Sequence, residues 1–201
     1  MPRFFRNLIT TFILAALAAG AITLYVSPDP RYAAEELIFF KRYSAFDNLI
    51  QTVAREHGID PMLTKAVVWR ESKFQPDMVG QNGERGLMQV TEGAAEDWVN
   101  AEKIENFRPT DLFDPETNLN VGVWYLSRAL ERWKEKEDPL PFALAEYNAG
   151  RSRVHRWIGN SNMGKRAEAR DLKDQIAFPS TKRYIETIEQ RYKFYKDRGR
   201  M

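Results

Sequence analysis

The stretch from Gly58 to Phe74, GIDPMLTKAVVWRESKF, constrains the fold more tightly than any other part of the chain. Asp60 followed by Pro61 is a helix start, an oxygen-bearing N-cap and then a residue whose missing N–H costs nothing in the first turn. From there Leu63, Val67 and Glu71 recur at i, i+4 and i+8, with Ala66, Arg70 and Phe74 on the adjoining row. The spacing predicts a helix whose apolar stripe ends on the carboxylate of Glu71. A partly buried carboxyl loses hydration of its charged form, so its pKa rises toward the range a general acid needs near neutral pH. Position alone favours a plainer reading, in which Glu71 pairs with Arg70 or Lys73 or reaches solvent.

The rest of the chain repeats the helical period. Phe46, Leu49, Ile50 and Val53 give a helix ending near Gly58, a further helix begins near Thr91, and Leu119, Val123, Leu126 and Leu130 mark another. Phe142 to Tyr147 is helical up to Gly150, a C-cap, and the last helix runs from about Thr181 through Tyr184 and Ile188. Turn formers punctuate these runs: Gln75 to Gly86, Thr110 to Asn118, and Asp138 to Pro141. The polar segment Gly159 to Asp174 reads as a surface loop with partial helix. No stretch alternates with period two, so the fold class is mainly α.

With 201 residues, 43% of them hydrophobic, the chain can bury one substantial core. Its 30 basic and 28 acidic residues balance to +2, which gives no electrostatic case for nucleic acid. The absence of cysteine excludes thiol nucleophiles, disulfides and cysteine zinc sites. Only His57 and His155 remain for imidazole chemistry; the first reads as a helix C-terminus and the second sits among Arg153 and Arg156. No metal site and no cofactor are expected.

At the N-terminus, Arg3 and Arg6 precede Leu8 to Val26, a run of 19 residues without charge. At about 1.5 Å per helical residue that run reaches close to the thickness of a bilayer core. It reads as a transmembrane or signal helix, with an uncleaved anchor preferred because the apolar run continues past the small residues of AALAAG. The basic flank sets the N-terminus in the cytoplasm, giving a single-pass protein of the inner (cytoplasmic) membrane with its domain facing the periplasm or cell wall. Residues 1–27 are thus the anchor, 28–44 a linker or outer helix that begins after Ser27-Pro28-Asp29-Pro30, and 45–201 the catalytic domain.

Four motifs then occur in order: Glu71-Ser72; Gly86-Leu87-Met88-Gln89; Asp114-Pro115 with Asn118-Leu119 and Gly122; and Ala145-Glu146-Tyr147-Asn148-Ala149-Gly150. Together they resemble the motifs of the soluble lytic transglycosylases, lysozyme-like enzymes that cleave peptidoglycan, over roughly Ala45 to Tyr195. The resemblance implies a helical lysozyme-like domain with a groove for glycan strands of alternating N-acetylglucosamine and N-acetylmuramic acid. It implies that Glu71 protonates the glycosidic oxygen and then takes the proton of the C6 hydroxyl, leaving a 1,6-anhydromuramic end. Cell wall turnover or remodelling is the process this chemistry serves. Ordinary glycosidases use two carboxylates. No second acid stands beside Glu71 in a motif, and Glu84 and Glu92 read as solvated charges.

By the same resemblance Gln89 lines the groove, Tyr147 and Asn148 face the glutamate, and Tyr184 points toward the site. Each also has a structural reading: a loop-satisfying amide, a core tyrosine, a C-cap asparagine, a core aromatic. Met88 joins the substrate-binding set with Leu87 as groove floor, and both read more readily as core than as chemistry. Trp98, Trp124 and Trp133 read as packing. The chain departs from the family pattern at Gly80, where relatives often carry serine, at Thr91-Glu92 in place of Met-Pro, and at Ser180, where a glutamate is common. Alternatives to the lyase are a hydrolytic muramidase on the same fold and a wall-binding or assembly protein whose site has decayed.

Overall fold

A computed structural model describes residues 3–26, 30–160 and 166–199. The chain divides into two compact units, Met1–Ser44 and Ala45–Met201. The first holds helix α1 (Arg3–Val26) and helix α2 (Pro30–Ser44), the latter kinked at Phe39. Within α2 the Tyr43 hydroxyl donates to Glu35 at 2.7 Å, and the Arg42 guanidinium lies 4.4 Å over the Phe39 ring. The run expected to be a transmembrane or signal segment is helical. Among the described residues, however, no helix is long and apolar enough to cross a membrane. The helix break expected at Ser27 to Asp29 lies outside the described residues.

The second unit is built from α3 (Asp47–Glu56), α4 (Pro61–Ser72), α5 (Glu92–Glu102), a 3-10 turn (Pro109–Phe113), α6 (Pro115–Arg132), α7 (Leu140–Ala149), α8 (Arg151–Asn160), α9 (Ala169–Gln175) and α10 (Pro179–Arg198). Among the described residues, β structure is limited to isolated bridges of Arg85 with Val79 and Val90. The helix starts follow the cap chemistry. Asp60 accepts the Met62 N–H at 2.8 Å, Thr91 that of Ala94 at 3.2 Å, and Asp114 that of Thr117 at 2.8 Å. Each satisfies an N–H the helix itself leaves orphaned. Gly150 closes α7 at φ 88, where a side chain would be strained.

Helix α4 is the centre of this unit, packed chiefly against α10 and also against α3. The single apolar stripe read from the sequence understates its burial. Thr64, Lys65 and Ser72 are buried along with Leu63, Ala66, Val67, Val68 and Trp69, so nearly every face is covered. Lys65, 3% exposed, is tolerated because Asp47 of α3 pairs with it at 2.7 Å and the Tyr195 ring lies 5.4 Å away. The rest of the core is supplied by Ile50 and Val53 of α3, Leu119 and Leu126 of α6, Phe142 and Leu144 of α7, and Ile185 and Ile188 of α10, all buried. Burial of each such side chain stabilises the fold by about 1.5–3 kcal/mol.

In the Gly159 to Asp174 segment, residues 166–174 form the start of α9 and its approach, with Ala167 and Leu172 buried; residues 161–165 lie outside the described set.

Candidate active site

Glu71 sits in the last turn of α4, where the helix stops because Lys73 and then Phe74 turn left-handed at φ 53 and 59. Phe74 is 1% exposed, so its burial fixes this unusual exit. The Glu71 carboxylate is half-buried and accepts a 2.5 Å hydrogen bond from the Tyr184 hydroxyl of α10. It makes no ion pair with Arg70, whose guanidinium instead lies 5.4 Å from the Tyr184 ring. Burial raises the Glu71 pKa from 4.5 to about 7, against the Tyr184 hydrogen bond and the Arg70 charge, which lower it, and with Glu84, whose negative charge raises it further. A carboxyl with this pKa is half-protonated at neutral pH, so it can give a proton and later take one back.

Two tyrosines enclose it. Tyr184 is 2% exposed, and its own pKa is pushed well up by burial and then by the Glu71 charge, so it stays a donor. Tyr147 of α7 is likewise pushed well up by burial, next by Glu71. Its hydroxyl donates to the Met88 carbonyl at 2.9 Å, which ties α7 to the loop that covers the site.

That loop, Gln75 to Val90, is shaped by one side chain from α6. Asn118, fully buried, donates to Arg85 O at 2.7 Å and to Leu112 O at 2.8 Å and accepts the Met88 N–H at 2.8 Å. Gly86 is required beneath it: φ is 77, and a Cβ there would stand 2.3 Å from Asn118 Nδ2 and 2.4 Å from Leu112 O. Gln89, at φ 47, donates from Nε2 to Gly86 O at 3.0 Å and Met78 O at 3.2 Å. Those two carbonyls fix which end of the amide is nitrogen and leave Oε1 as the group it offers outward.

Gln89, Tyr147 and Asn148 line a groove of about 530 Å³ that continues past Tyr125, Asp97 and Glu96. Asn148 is exposed, and its Oδ1 accepts from Thr181 Oγ1 of α10 at 2.8 Å, so its amide is anchored to α10. Met88 does not belong with these residues. Its side chain is fully buried, with Sδ against Gly122, where a Cβ would come within 2.5 Å. Leu87 and Met88 both point inward, and only at Gln89, where φ is 47, does the chain turn a side chain to the groove, which corrects the expectation that Met88 contacts substrate.

The tryptophans pack: Trp124 and Trp133 are buried and donate to Glu102 and Glu146 at 2.8 Å each, and Trp98 stands edge-on to Phe107 at 6.3 Å. His57 terminates α3, and His155 accepts from Arg151 at 3.3 Å while stacking on Trp133 at 5.2 Å.

Sequence reasoning missed three contributors. Glu146, 5% exposed, is held by Arg132 at 2.7 Å and Trp133 at 2.8 Å and lines the same groove as Tyr147; a glutamate inside an apolar helix was the available signal. Thr181 carried none, being one hydroxyl at a helix start. Glu84 was read as a solvated charge, yet its charge reaches Glu71.

The model of the family described as the Transglycosylase SLT domain matches residues 48–169. The chain is 32% identical over 145 residues to a soluble lytic murein transglycosylase of Salmonella typhimurium, covering 72% of this chain and 22% of that protein. It is 38% identical over 118 residues to a membrane-bound lytic murein transglycosylase F of Desulfosudis oleivorans, covering 57% and 24%. Among solved structures, a complex of the 70-kDa soluble lytic transglycosylase with bulgecin A superposes with a TM-score of 0.69 at 29% identity, covering 78% of this chain and 25% of that one. The Escherichia coli 70-kDa enzyme gives 0.66 at 28% identity, covering 75% and 24%. The chain thus spans between a fifth and a quarter of the length of these relatives.

Proposed function

Because the chain belongs to the transglycosylase SLT domain family, we propose that it is a peptidoglycan lytic transglycosylase, with residues 45–201 as the catalytic domain and Glu71 as its acid and base. The observation that carries this reading is a single carboxyl, raised to about 7 by burial and bonded to Tyr184, at the end of a buried helix and close enough to Tyr147, which lines the groove, for its charge to act there.

In the first step the bond between C1 of N-acetylmuramic acid and the O4 of N-acetylglucosamine breaks, and the leaving oxygen takes the Glu71 proton. The acetamido oxygen of the muramic residue supports the cationic C1. In the second step the C6 oxygen attacks C1, and its proton returns to the Glu71 carboxylate. No water is consumed, and the product ends in 1,6-anhydromuramic acid.

The Tyr184 hydroxyl stabilises the carboxylate formed between the two steps. Gln89 Oε1 and Asn148 offer hydrogen-bonding groups to the sugars, and Tyr147 holds the loop that carries Gln89 in register with α7. Digestion of purified sacculi followed by mass spectrometry tests this. Anhydro-ended muropeptides are expected; reducing ends would make the chain a hydrolytic muramidase, and no turnover would make it a wall-binding protein.

We further infer, from the sequence and against the finding that no described helix is long and apolar enough to cross a membrane, that residues 1–27 anchor the domain in the inner membrane, facing the periplasm, on the strength of the uncharged run Leu8 to Val26 behind Arg3 and Arg6. The protein is then expected in the membrane fraction after a salt wash. Release as a shortened soluble form would count against the anchor.

A further inference from the structure

A cavity of about 660 Å³ opens between the C-terminus of α3 and the second half of α6, with His57 and Gly58 on one side and Arg128, Glu131 and Arg132 on the other. One ion pair separates it from the groove. Arg132 lines this cavity, and the Glu146 carboxylate that accepts from Arg132 Nη1 at 2.7 Å lines the groove. The groove residue Tyr125 registers both partners. Its pKa is pushed up by burial and next by its bond to Asp97, with Glu146 adding to the rise and Arg132 opposing it.

The two cavities carry opposite charge. The groove lining includes Glu96, Asp97 and Glu146 and, among the described residues, no lysine or arginine. In the second cavity the acid, Glu131, is engaged by Lys134 at 2.5 Å, whereas the exposed Arg128 pairs with no carboxylate among the described residues. Its guanidinium lies 4.7 Å over the Trp124 ring, an arrangement that leaves in-plane N–H donors free. Arg132 commits only Nη1, to Glu146 and to Arg128 O at 3.1 Å, so Nε and Nη2 remain as donors. Carbonyls at the end of α3 that would oppose an anion are partly occupied: Val53 O accepts the His57 N–H at 3.2 Å and Arg55 O that of Gly58 at 3.1 Å.

Arginines four residues apart on a helix are neighbours, and their like charges repel. A carboxylate received between Arg128 and Arg132 relieves that repulsion and gains charge-assisted hydrogen bonds. Resting on the lytic transglycosylase reading above, we propose that this cavity is a binding site for a carboxylate of the stem peptides borne by the strand in the groove. Arg128 and the uncommitted N–H groups of Arg132 hold it. The acids of the groove repel such a group, and the cavity one ion pair away receives it.

The test compares two substrates: glycan strands bearing stem peptides with free carboxylates, and the same strands after those carboxylates have been amidated. Only the charge of the peptide differs between them. Cleavage of each is followed at low ionic strength for the wild type, Arg128→Gln and Arg128→Glu, and the ratio of the two kcat/KM values is taken for each protein. The side chain of residue 128 is exposed on α6, and glutamine and glutamate are both good helix formers, so the variants keep the fold.

The wild type is expected to favour the free-carboxylate strands about fivefold, the size of one ion pair open to solvent. The difference should lie in KM rather than kcat and shrink as salt rises. In Arg128→Gln the ratio should fall to about twofold or less, and in Arg128→Glu the amidated strands should become the better substrate. A wild-type ratio near one, or a ratio that Arg128→Gln leaves unchanged, overturns the proposal while leaving the transglycosylase reading intact. Failure of the wild type to cleave either substrate overturns that reading instead.

Discussion

Both ends of α4 set a carboxylate against a tyrosine of α10, and the two pairs behave oppositely. At the N-terminal end Asp60 accepts from Tyr192 at 2.9 Å; at the C-terminal end Glu71 accepts from Tyr184 at 2.5 Å. Burial raises the pKa of both. For Asp60 it is outweighed by bonds from Lys196, from the Met62 N–H and from Tyr192, and the net pKa is lowered. For Glu71 burial prevails, because only one hydroxyl and the Arg70 charge oppose it, and the pKa rises to about 7. The same helix pair thus builds a structural cap at one end and, at the other, a carboxyl whose pKa is raised to about 7. What differs is the number of donors and the depth of the carboxyl.

The largest expected effect is on Glu71→Gln, which keeps size and can still accept from Tyr184 but carries no transferable proton. Cleavage of sacculi should fall by at least about a thousandfold, within the range general acid–base groups supply. Asp60→Asn should leave cleavage within about twofold, its cap oxygen being kept. Comparable losses in both variants would erase the distinction between the two ends.

Stability should separate them with opposite signs. Glu71 has a raised native pKa, so the native state holds its proton more tightly than the unfolded chain. The cost of ionising it in place is absent below about pH 4.5, grows as pH rises, and is complete above about 7. Glu71→Gln is therefore expected to be more stable than wild type at pH 8, by as much as about 3 kcal/mol, with the gain gone near pH 4. Asp60 has a depressed native pKa, so its contribution is present above 3.8 and is lost as pH falls through the native value. Asp60→Asn should cost about 1 kcal/mol at pH 7, as befits a partly exposed pair, and nothing in strong acid. Thermal melts of both variants across pH read these signs directly.

How much of this contrast could be read from the chain depends on which contacts are local. Asp60-Pro61 and Thr91 announced their helices because cap chemistry operates within three residues, whereas Asp114-Pro115, read as part of the turn Thr110 to Asn118, is the cap and first residue of α6. Glu71 was visible as the end of a pattern, and the resemblance marked Tyr184. The 2.5 Å bond between them joins residues far apart in sequence, and spacing within one helix cannot report it. Lys65 and Thr64 lie off the stripe that spacing picked out and are nonetheless buried; for Lys65, the partner that permits this, Asp47, is on a different helix. Met88 was misassigned because its neighbour Gln89 does line the groove. Glu84 was hidden because its carboxylate lies against Gly80, held by Asn82, in a loop contact that no periodic pattern reports.

The tyrosines give smaller effects that sharpen the comparison. Tyr184→Phe removes a bond that favours the Glu71 carboxylate, so the basic limb of the pH–activity profile should move to higher pH. Tyr192→Phe should leave that profile unmoved and cost about 1 kcal/mol or less of stability. A shift with Tyr192→Phe, or none with Tyr184→Phe, would mean that the limb belongs to another group.

The most direct test is a carbon-detected NMR titration of the side-chain carboxyls, with Glu71 and Asp60 assigned through their Gln and Asn variants. Glu71 should titrate with a midpoint near 7 and Asp60 below 3.8. A Glu71 midpoint at its ordinary 4.5 would contradict the account, because a carboxyl ionised at neutral pH cannot supply the proton on which the proposed cleavage depends.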